Sequence, residues 1–255
     1  MTPKATPESV DKRPLHERIA ADLREQIMAG DVEPGGDLPS TEQLKTRFSA
    51  SSATVQKALG LLKAEGLAIG RAGASVKVRA HRRQTMHPAA YSAPASAGEA
   101  YRWITEAQNR GQAAQSTLLD VAEVVPPADV RAALGLIEGE RALLRKQVLL
   151  LDDEPCELVK SYYPLELARG TAMMHKKKIR GGTPALLAEA GYPPLRTVDK
   201  VSACIATQEQ YEALELPTDL PILRTFRVVL SNDDRVIEVT EMAKAGHLYE
   251  LQYEY

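Results

Sequence analysis

Two helical patterns that follow each other closely place the strongest constraint on this chain. Leu44 and Phe48 lie one helical turn apart at the end of the first pattern, and Ser51 is a natural N-cap for the second. Because only two residues separate Phe48 from Ser51, the two helices must cross steeply instead of lying antiparallel. A glycine-punctuated turn and an alternating strand at 75–79 follow. The segment 39–79 therefore predicts a helix-turn-helix with a β wing.

The segment before this motif predicts one more helix. Apolar residues recur every four positions from Leu15 to Ile27, and Gly30 is a natural end for that helix. Ser40 opens the next helix, with Gln43 three residues later, which is the pattern of a capping box. The helix after Ser51 has a predicted buried stripe of Val55, Ala58, Leu59 and Leu62.

The exposed end of the third helix carries short polar side chains, which suit close approach to DNA. A recognition helix presents its N-terminal residues to base edges and phosphates. Thr54 and the N–H groups of the helix start can bind phosphate, and Gln56 can pair with an adenine edge. The residues predicted to contact DNA are Ser40, Thr41, Ser51, Ser52, Thr54, Gln56, Lys57, Arg71 and Gly73. The alternative is a small helical bundle whose polar face is merely solvated.

Charge is distributed unevenly along the chain. Residues 1–90 contain 14 Lys and Arg against 10 Asp and Glu, whereas residues 91–255 contain 18 against 24. A basic head on an acidic body fits DNA contact at one end of the molecule. Chance asymmetry in an ordinary enzyme would give the same imbalance, so charge alone does not decide the function.

A length of 255 residues predicts two domains, joined by a linker rich in Ala, Ser and Pro. We expect a disordered tail at 1–12, a winged helix-turn-helix DNA-binding domain at 13–80, the linker at 81–98 and a second domain at 99–255.

The second domain reads as an α+β domain in which hairpins dominate. A mainly antiparallel sheet with packed helices is therefore expected. The predicted strands are 117–125, 143–151, 156–163, 196–205, 222–230, 235–242 and 249–255, with a turn at 152–155 and helices at 99–110, 128–134, from Thr183 with Pro184 at its first position, and from Thr207 to Leu214.

No motif for catalysis, metal binding or membrane insertion stands out. The chain lacks a nucleophile elbow, a P-loop, GxGxxG and HExxH, so no catalytic residue, metal site or cofactor is expected. Cys156 and Cys204 are far apart without a CxxC motif, which indicates buried, reduced thiols. There is no run of 18 apolar residues and no signal-peptide core. We therefore expect a cytoplasmic protein with no membrane partner.

The head resembles the GntR superfamily of bacterial transcription regulators. The shared features are the P-G-x-x-L-P-S loop and the run S-x-x-T-V-x-x-A-L-x-x-L-x-x-E-G-L, within residues 13–80. The resemblance implies a winged helix-turn-helix that binds double-stranded operator DNA. Where this chain has Glu42, Ser52 and Gln56, the family usually carries arginines that contact bases or phosphates. Their absence predicts fewer charge contacts and a shallower salt dependence than is usual.

The second domain resembles the UTRA ligand-binding domain of HutC-type GntR regulators, over about residues 100–255. The shared pieces, in order, are a strand ending D-x-E-P, then S-Y-x-P, a late v-E-v strand and a G-x-x-Y-x-x-x-Y ending. The resemblance implies a chorismate lyase-like fold that binds a small molecule, often an anion, in a pocket over the sheet, and that commonly mediates dimers.

Four residues of the second domain are predicted to bind the effector. Ser161 and Tyr163 are two positions apart on a strand, so their side chains point to one face, and they match the family's S-Y-x-P position. Arg145 could hold a phosphate or carboxylate bidentately. Glu238, at the v-E-v position, could accept from a ligand or pair with Arg145. The alternatives are structural or surface roles for all four.

The sequence thus predicts a ligand-responsive DNA-binding regulator. The favoured form is a homodimeric repressor that binds an inverted-repeat operator and is released by a small-molecule effector. One alternative is an enzyme of chorismate lyase-like fold with an accessory DNA-binding head. Another is a plasmid-maintenance DNA-binding repressor without a ligand.

Overall fold

A computed structural model describes residues 11–70, 75–80, 84–87, 102–218 and 220–252. The described residues fall into two compact units, one ending at residue 82 and the other beginning at residue 83. Each unit has its own hydrophobic core.

The first unit is a three-helix head with a two-stranded wing, as the sequence predicts. Its elements are α1 (Leu15–Ala29), α2 (Thr41–Phe48), α3 (Ser52–Ala64), β1 (Ala68–Ile69) and β2 (Lys77–Val78), with β1 and β2 antiparallel. The turn between β1 and β2 lies partly outside the described residues, because 71–74 are not among them.

Local hydrogen bonds fix the ends of the head helices. The Ser40 hydroxyl accepts from the Gln43 backbone N–H at 3.3 Å, and the Gln43 side chain accepts from the Ser40 N–H at 2.7 Å. This confirms the predicted capping box. Ser51 caps α3 with a single bond, its hydroxyl accepting from the Thr54 N–H. Between the two helices, Ser49 adopts the left-handed conformation (φ 49°), which lets the chain turn within a very short connection.

The core of the head comes from all three helices. The predicted stripe of α3 is buried, and it packs on Leu23 of α1 and Leu44 of α2. The Arg24 guanidinium of α1 donates to the carboxylate of Glu65, which follows α3, with Nε at 2.8 Å from Oε2. These contacts hold α3 against α1 so that the N-terminal end of α3 remains exposed.

The head core gives a matched test of stability on one helix. Leu23→Ala should lower the free energy of unfolding of the head by about 2–5 kcal/mol, because Leu23 is fully buried. Met28→Ala, on the same helix but 59% exposed, should change it by less than about 0.5 kcal/mol. Hydrogen exchange of head amides measures both. Equal effects of the two substitutions would contradict the described packing of α1.

The second unit is built on a six-stranded antiparallel sheet. The strands of this sheet are β4 (Ala114–Val124), β5 (Ala142–Leu151), β6 (Glu154–Pro164), β7 (Arg196–Ile205), β8 (Pro221–Leu230) and β9 (Val236–Ala245). Their order across the sheet is β4-β5-β6-β9-β8-β7. The helices are α4 (Arg102–Asn109), α5 (Ala128–Leu134), α6 (Leu165–Ala168), α7 (Gly182–Glu189) and α8 (Gln208–Ala213). The α+β prediction is confirmed.

A strand is present within the predicted range 249–255, but its parallel partner in the expected linker is not predicted by the sequence. Residues Gln84–Met86 form β3, which pairs in parallel with β10 (Tyr249–Leu251). The segment 81–98 had been expected to be a plain linker. A three-residue strand shows too little periodicity to be recognised in a sequence, because it is defined by its distant partner.

Three smaller predictions need correction. The turn between β5 and β6 consists of Asp152 and Asp153 alone, both with positive φ, so β6 begins at Glu154 and not after residue 155. Pro184 is the third residue of α7, since the helix begins at Gly182. Cys156 is buried as expected, but Cys204 is exposed because it lies on the edge strand β7.

None of the helices in the described parts of the chain is long and apolar enough to cross a membrane.

Candidate functional sites

The start of α3 presents the polar surface that the sequence predicts for DNA contact. The Ser51 hydroxyl accepts from the Thr54 N–H at 3.2 Å and lies 2.9 Å from the Thr54 hydroxyl. Ser51 therefore shapes the helix start by capping it, and Ser40 does the same for α2. Ser52 is exposed beside them.

A side-chain bond connects the two helices of the motif on this surface. The amide of Gln56 donates to the Thr41 hydroxyl, 3.2 Å away. Lys57, the next residue, is exposed on α3. The structure thus brings together Thr41, Gln56 and the start of α3. Arg71 and Gly73, which were also predicted to contact DNA, lie outside the described residues.

Several cations of the head are engaged with carboxylates. Lys45 pairs with Glu42 at 2.9 Å, and Arg47 pairs with Asp22 at 2.9 Å. Their charge is partly neutralised, and Lys57 is the one cation among those predicted DNA-contacting residues that the structure describes. This supports the expectation of few charge contacts with DNA.

The second unit contains a cavity of about 310 Å³ on one face of the sheet. Its walls come from β4, β5, β6, β8 and β9, with α4 and residues 178–184 beside them. All four residues predicted to bind the effector, Arg145, Ser161, Tyr163 and Glu238, line this cavity. A concave site with an apolar wall and a few polar groups is the usual form of a small-molecule pocket.

Strand register explains why these side chains meet. Arg145 lies opposite Ser161, Ser161 opposite Thr240, and Thr240 opposite Arg227, across four neighbouring strands. Residues directly opposite each other in an antiparallel sheet point to the same face. A row of polar side chains therefore crosses the face of the sheet that lines the cavity.

Arg145 holds a loop. Its guanidinium donates to the backbone carbonyls of Met173 at 2.5 Å, His175 at 3.0 Å and Lys177 at 2.8 Å. Its pKa is lowered by burial, which disfavours the charged form. The suggested pairing with Glu238 is not what the structure shows, because these carbonyls engage Arg145 instead. Arg145 can bind an anion bidentately, as the sequence predicts, only by giving up some of these three hydrogen bonds.

Glu238 belongs to a small hydroxyl network. Its Oε1 accepts from the Ser161 hydroxyl at 3.0 Å and from the Thr240 hydroxyl at 2.5 Å, and the two hydroxyls lie 2.8 Å apart. Both bonds use Oε1, so Oε2 has no partner among the described residues. Glu238 is half-buried and lines the cavity, so this oxygen can accept a hydrogen bond from a molecule there.

Tyr163 closes the network towards α7. Its hydroxyl lies 2.8 Å from the Thr183 hydroxyl, and its side chain is buried. Burial, with Glu238 nearby, raises the pKa of the Tyr163 phenol well above its usual value, so it remains a neutral hydrogen-bonding group.

A buried ion pair at the cavity was missed by sequence reasoning. Glu157 lines the cavity, pairs with Lys244 at 3.3 Å and accepts from the Tyr249 hydroxyl at 2.9 Å. Lys244 also donates to the Thr225 hydroxyl at 3.2 Å, and burial lowers its pKa. The available signal was a lysine between apolar residues in MAKAG. A lone charge in a strand is usually solvated, so the signal was weak.

Another donor and two cations complete the surroundings of the cavity. Trp103 of α4 is buried at the cavity wall, and its indole N–H has no hydrogen-bond partner among the described residues. Lys178 and Arg180 line the cavity from the exposed loop before α7. The indole favours a hydrogen-bond acceptor, and the two cations favour an anionic group.

Removal of the Arg145 side chain should loosen the loop that it holds. Arg145→Ala leaves three backbone carbonyls without their donor, and each lost buried bond costs about 1–3 kcal/mol. Trypsin should then cut the segment 176–180 at least about tenfold faster. Arg235→Ala, which removes an exposed ion pair with Glu166, is the control and should leave the cleavage rate unchanged. Equal rates for both variants would contradict the tethering role.

Two family models match the chain. The model described as the UTRA domain matches residues 109–250, and the model described as bacterial regulatory proteins of the gntR family matches residues 15–78.

Known proteins resemble the chain over nearly its whole length. An uncharacterized HTH-type transcriptional regulator of Streptomyces coelicolor is 27% identical over 96% of this chain and 93% of its own length. The HTH-type transcriptional repressor NagR of Bacillus subtilis is 23% identical over 92% of each chain. The crystal structure of a GntR-family transcriptional regulator superposes with a TM-score of 0.63 at 21% identity, covering 96% of this chain and 98% of that one. This last likeness shows the fold.

The helix-turn-helix head, the six-stranded sheet with its cavity and the two family models all indicate the same kind of protein. The chain belongs to the gntR family of bacterial regulatory proteins and is a transcriptional regulator with a DNA-binding helix-turn-helix domain and a UTRA effector-binding domain.

Proposed function

We propose that this regulator is a repressor that binds an inverted-repeat operator as a homodimer and leaves it when a small molecule occupies the cavity of the second unit. The observation that carries the proposal is the covered cavity, whose polar groups keep unused hydrogen-bonding capacity at Glu238 and Trp103. The repressor NagR, a relative of similar length, supports the sign of regulation.

On the DNA side, the start of α3 is the proposed reading surface. Thr54 and the helix N–H groups contact phosphate, and Gln56 with Thr41 reaches a base edge. Lys57 supplies the charge contact. Ser40 and Ser51 act mainly by holding the helix starts, since their hydroxyls already accept backbone hydrogen bonds.

Replacement of Lys57 should weaken DNA binding and change its dependence on salt. In mobility-shift titrations on DNA upstream of the chain's own gene, Lys57→Ala should reduce affinity several-fold and lower the salt slope by about one per head. Thr54→Ala should also reduce affinity. Lys176→Ala removes the same charge from the second unit and serves as the control.

Unchanged affinity in both Lys57→Ala and Thr54→Ala would show that α3 does not read DNA. An equal loss in Lys176→Ala would show that the effect comes from overall charge and not from the position of Lys57.

On the effector side, the cavity favours a small polar molecule that carries both hydrogen-bond donors and acceptors. A donor group, such as a hydroxyl or an amine, bonds to the free oxygen of Glu238. An acceptor group bonds to the Trp103 indole N–H, and Lys178 and Arg180 favour an anionic group. Leu118 and Met242 add an apolar wall for the rest of the molecule.

The effector acts by linkage, so it must bind the state that is incompetent for DNA more tightly than the DNA-bound state. A chain of contacts can transmit a change at the cavity to the connection with the head. Glu157 on the cavity wall bonds to Tyr249, and Tyr249 pairs with Gln84 of β3. β3 begins two residues after the end of the first unit, so a shift of Tyr249 reaches the connection to the head.

Tyr249→Phe isolates this route because it removes only the hydroxyl. An effector found by thermal shift among phosphosugars and amino acids should release DNA from the wild type, and its coupling should fall at least about fivefold in Tyr249→Phe. Tyr211→Phe, on the surface of α8, is the control. Unchanged coupling in Tyr249→Phe would rule out the route.

The same screen tests the cavity itself. Stabilisation by the effector should disappear in Glu238→Ala. A chain that no compound stabilises would instead favour a DNA-binding repressor without a ligand.

A further inference from the structure

The third helix of the head carries an exposed glycine in its interior. Gly60 lies within α3, which runs unbroken from Ser52 to Ala64. A glycine inside a helix makes that helix less stable than an alanine would, because glycine loses more backbone entropy on folding. The position therefore carries a cost in stability that another role must explain.

The fold of the head supplies none of the usual reasons for a glycine at this position. Gly60 is not among the described glycines with a positive φ, so alanine can adopt its backbone conformation. Outside its own helical turn, a Cβ atom at Gly60 would meet no described residue within 4 Å. The helix also continues beyond it to Ala64, so Gly60 does not end α3. The space above Gly60 is thus open to another molecule.

Gly60 shares a face of α3 with the proposed reading surface. Residues three and four positions apart are neighbours on a helix, so Gly60 follows Gln56 and Lys57 by one turn. All three residues are exposed. With a rise of about 1.5 Å per residue, Gly60 lies about 6 Å farther along α3 than Gln56. A DNA strand that contacts Gln56 and Lys57 is therefore within reach of Gly60.

Two lysines flank Gly60 along α3, Lys57 on one side and Lys63 on the other. In the part of the head that the structure describes, neither lysine pairs with a carboxylate. The Lys63 ammonium donates instead to the backbone carbonyl of Gly70 in the wing, at 3.3 Å, and keeps two further N–H donors. Cations on both sides of a bare stretch of helix match the negative charge of a phosphate strand.

A protein partner would fit this face of α3 less well than DNA. None of the exposed residues of α3 carries a large hydrophobic side chain. Protein interfaces are centred on large apolar and aromatic side chains and are depleted in lysine. The composition of the face therefore favours a nucleic acid backbone as the molecule that occupies the space above Gly60.

We infer that Gly60 is a point of close approach, where the missing side chain lets the sugar-phosphate backbone of DNA lie against α3, and that Lys63 binds the phosphate beside it. This inference rests on the reading surface of the proposed function and extends it by one helical turn. The sequence predicted neither residue as a DNA contact. The helix stability that is lost at Gly60 is offset when DNA is bound.

Gly60→Ala separates this role from a structural one, because it should change stability and DNA binding in opposite directions. Alanine should slow hydrogen exchange of the α3 amides about fivefold by stabilising the helix. In mobility-shift titrations on DNA upstream of the chain's own gene, affinity should fall at least about fivefold, and further in Gly60→Leu. Ala29→Leu, which adds a side chain at the exposed end of α1, is the control and should leave affinity unchanged.

Lys63→Gln tests the phosphate contact, because glutamine removes the charge and keeps a donor for the Gly70 carbonyl. The substitution should reduce affinity several-fold and lower the salt slope by about one per head. Lys176→Gln makes the same change in the second unit and should leave the salt slope unchanged.

The outcomes separate this inference from the proposed reading surface. A Gly60→Ala variant that is more stable and binds DNA as tightly as the wild type would overturn the close approach. If Lys57→Ala and Thr54→Ala weaken binding while Gly60→Ala and Lys63→Gln do not, the inference falls and the reading surface stands. If none of the four variants weakens binding, both fall.

Discussion

Burial of polar groups on one face of the six-stranded sheet is the constraint on which the second unit depends. Charged and hydroxyl side chains in such a place must find partners, because an unpaired buried group costs several times the net gain of a typical hydrogen bond. Arg145 meets this demand by binding three loop carbonyls, and Glu157 does so through Lys244 and Tyr249. These partners hold the walls of the cavity in place. The groups left with spare capacity, Glu238 and the Trp103 indole, are those that a ligand can satisfy.

The head is stabilised by a different set of interactions. Its helices are fixed by caps and a shared apolar core, and several of its cations are held by carboxylates of the head itself. In the proposed function, affinity for DNA therefore comes from helix N–H groups, hydroxyls and the amide of Gln56 more than from charge. Such a surface favours close fit over electrostatic attraction, and in the proposed homodimer a second head adds affinity.

Local chemistry made much of this fold predictable. Helical spacing from Leu15 to Ile27 and the capping box at Ser40 predicted two helices of the head, and the structure confirms both. Strand parity placed Ser161 and Tyr163 on one face, and both line the cavity. Sequence patterns could not predict the features that depend on distant contacts. These are the β3–β10 pairing, the loop that Arg145 binds and the Glu157–Lys244 ion pair. Each depends on residues far apart in sequence, which neither periodicity nor capping patterns describe.

Selection of bound fragments from random double-stranded DNA tests the central claim most directly. The purified chain should enrich one short inverted repeat, and a variant with both Thr54→Ala and Lys57→Ala should not. Enrichment of the same repeat by this variant, or of no sequence by the wild type, would contradict the account of a regulator that reads its operator with the start of α3.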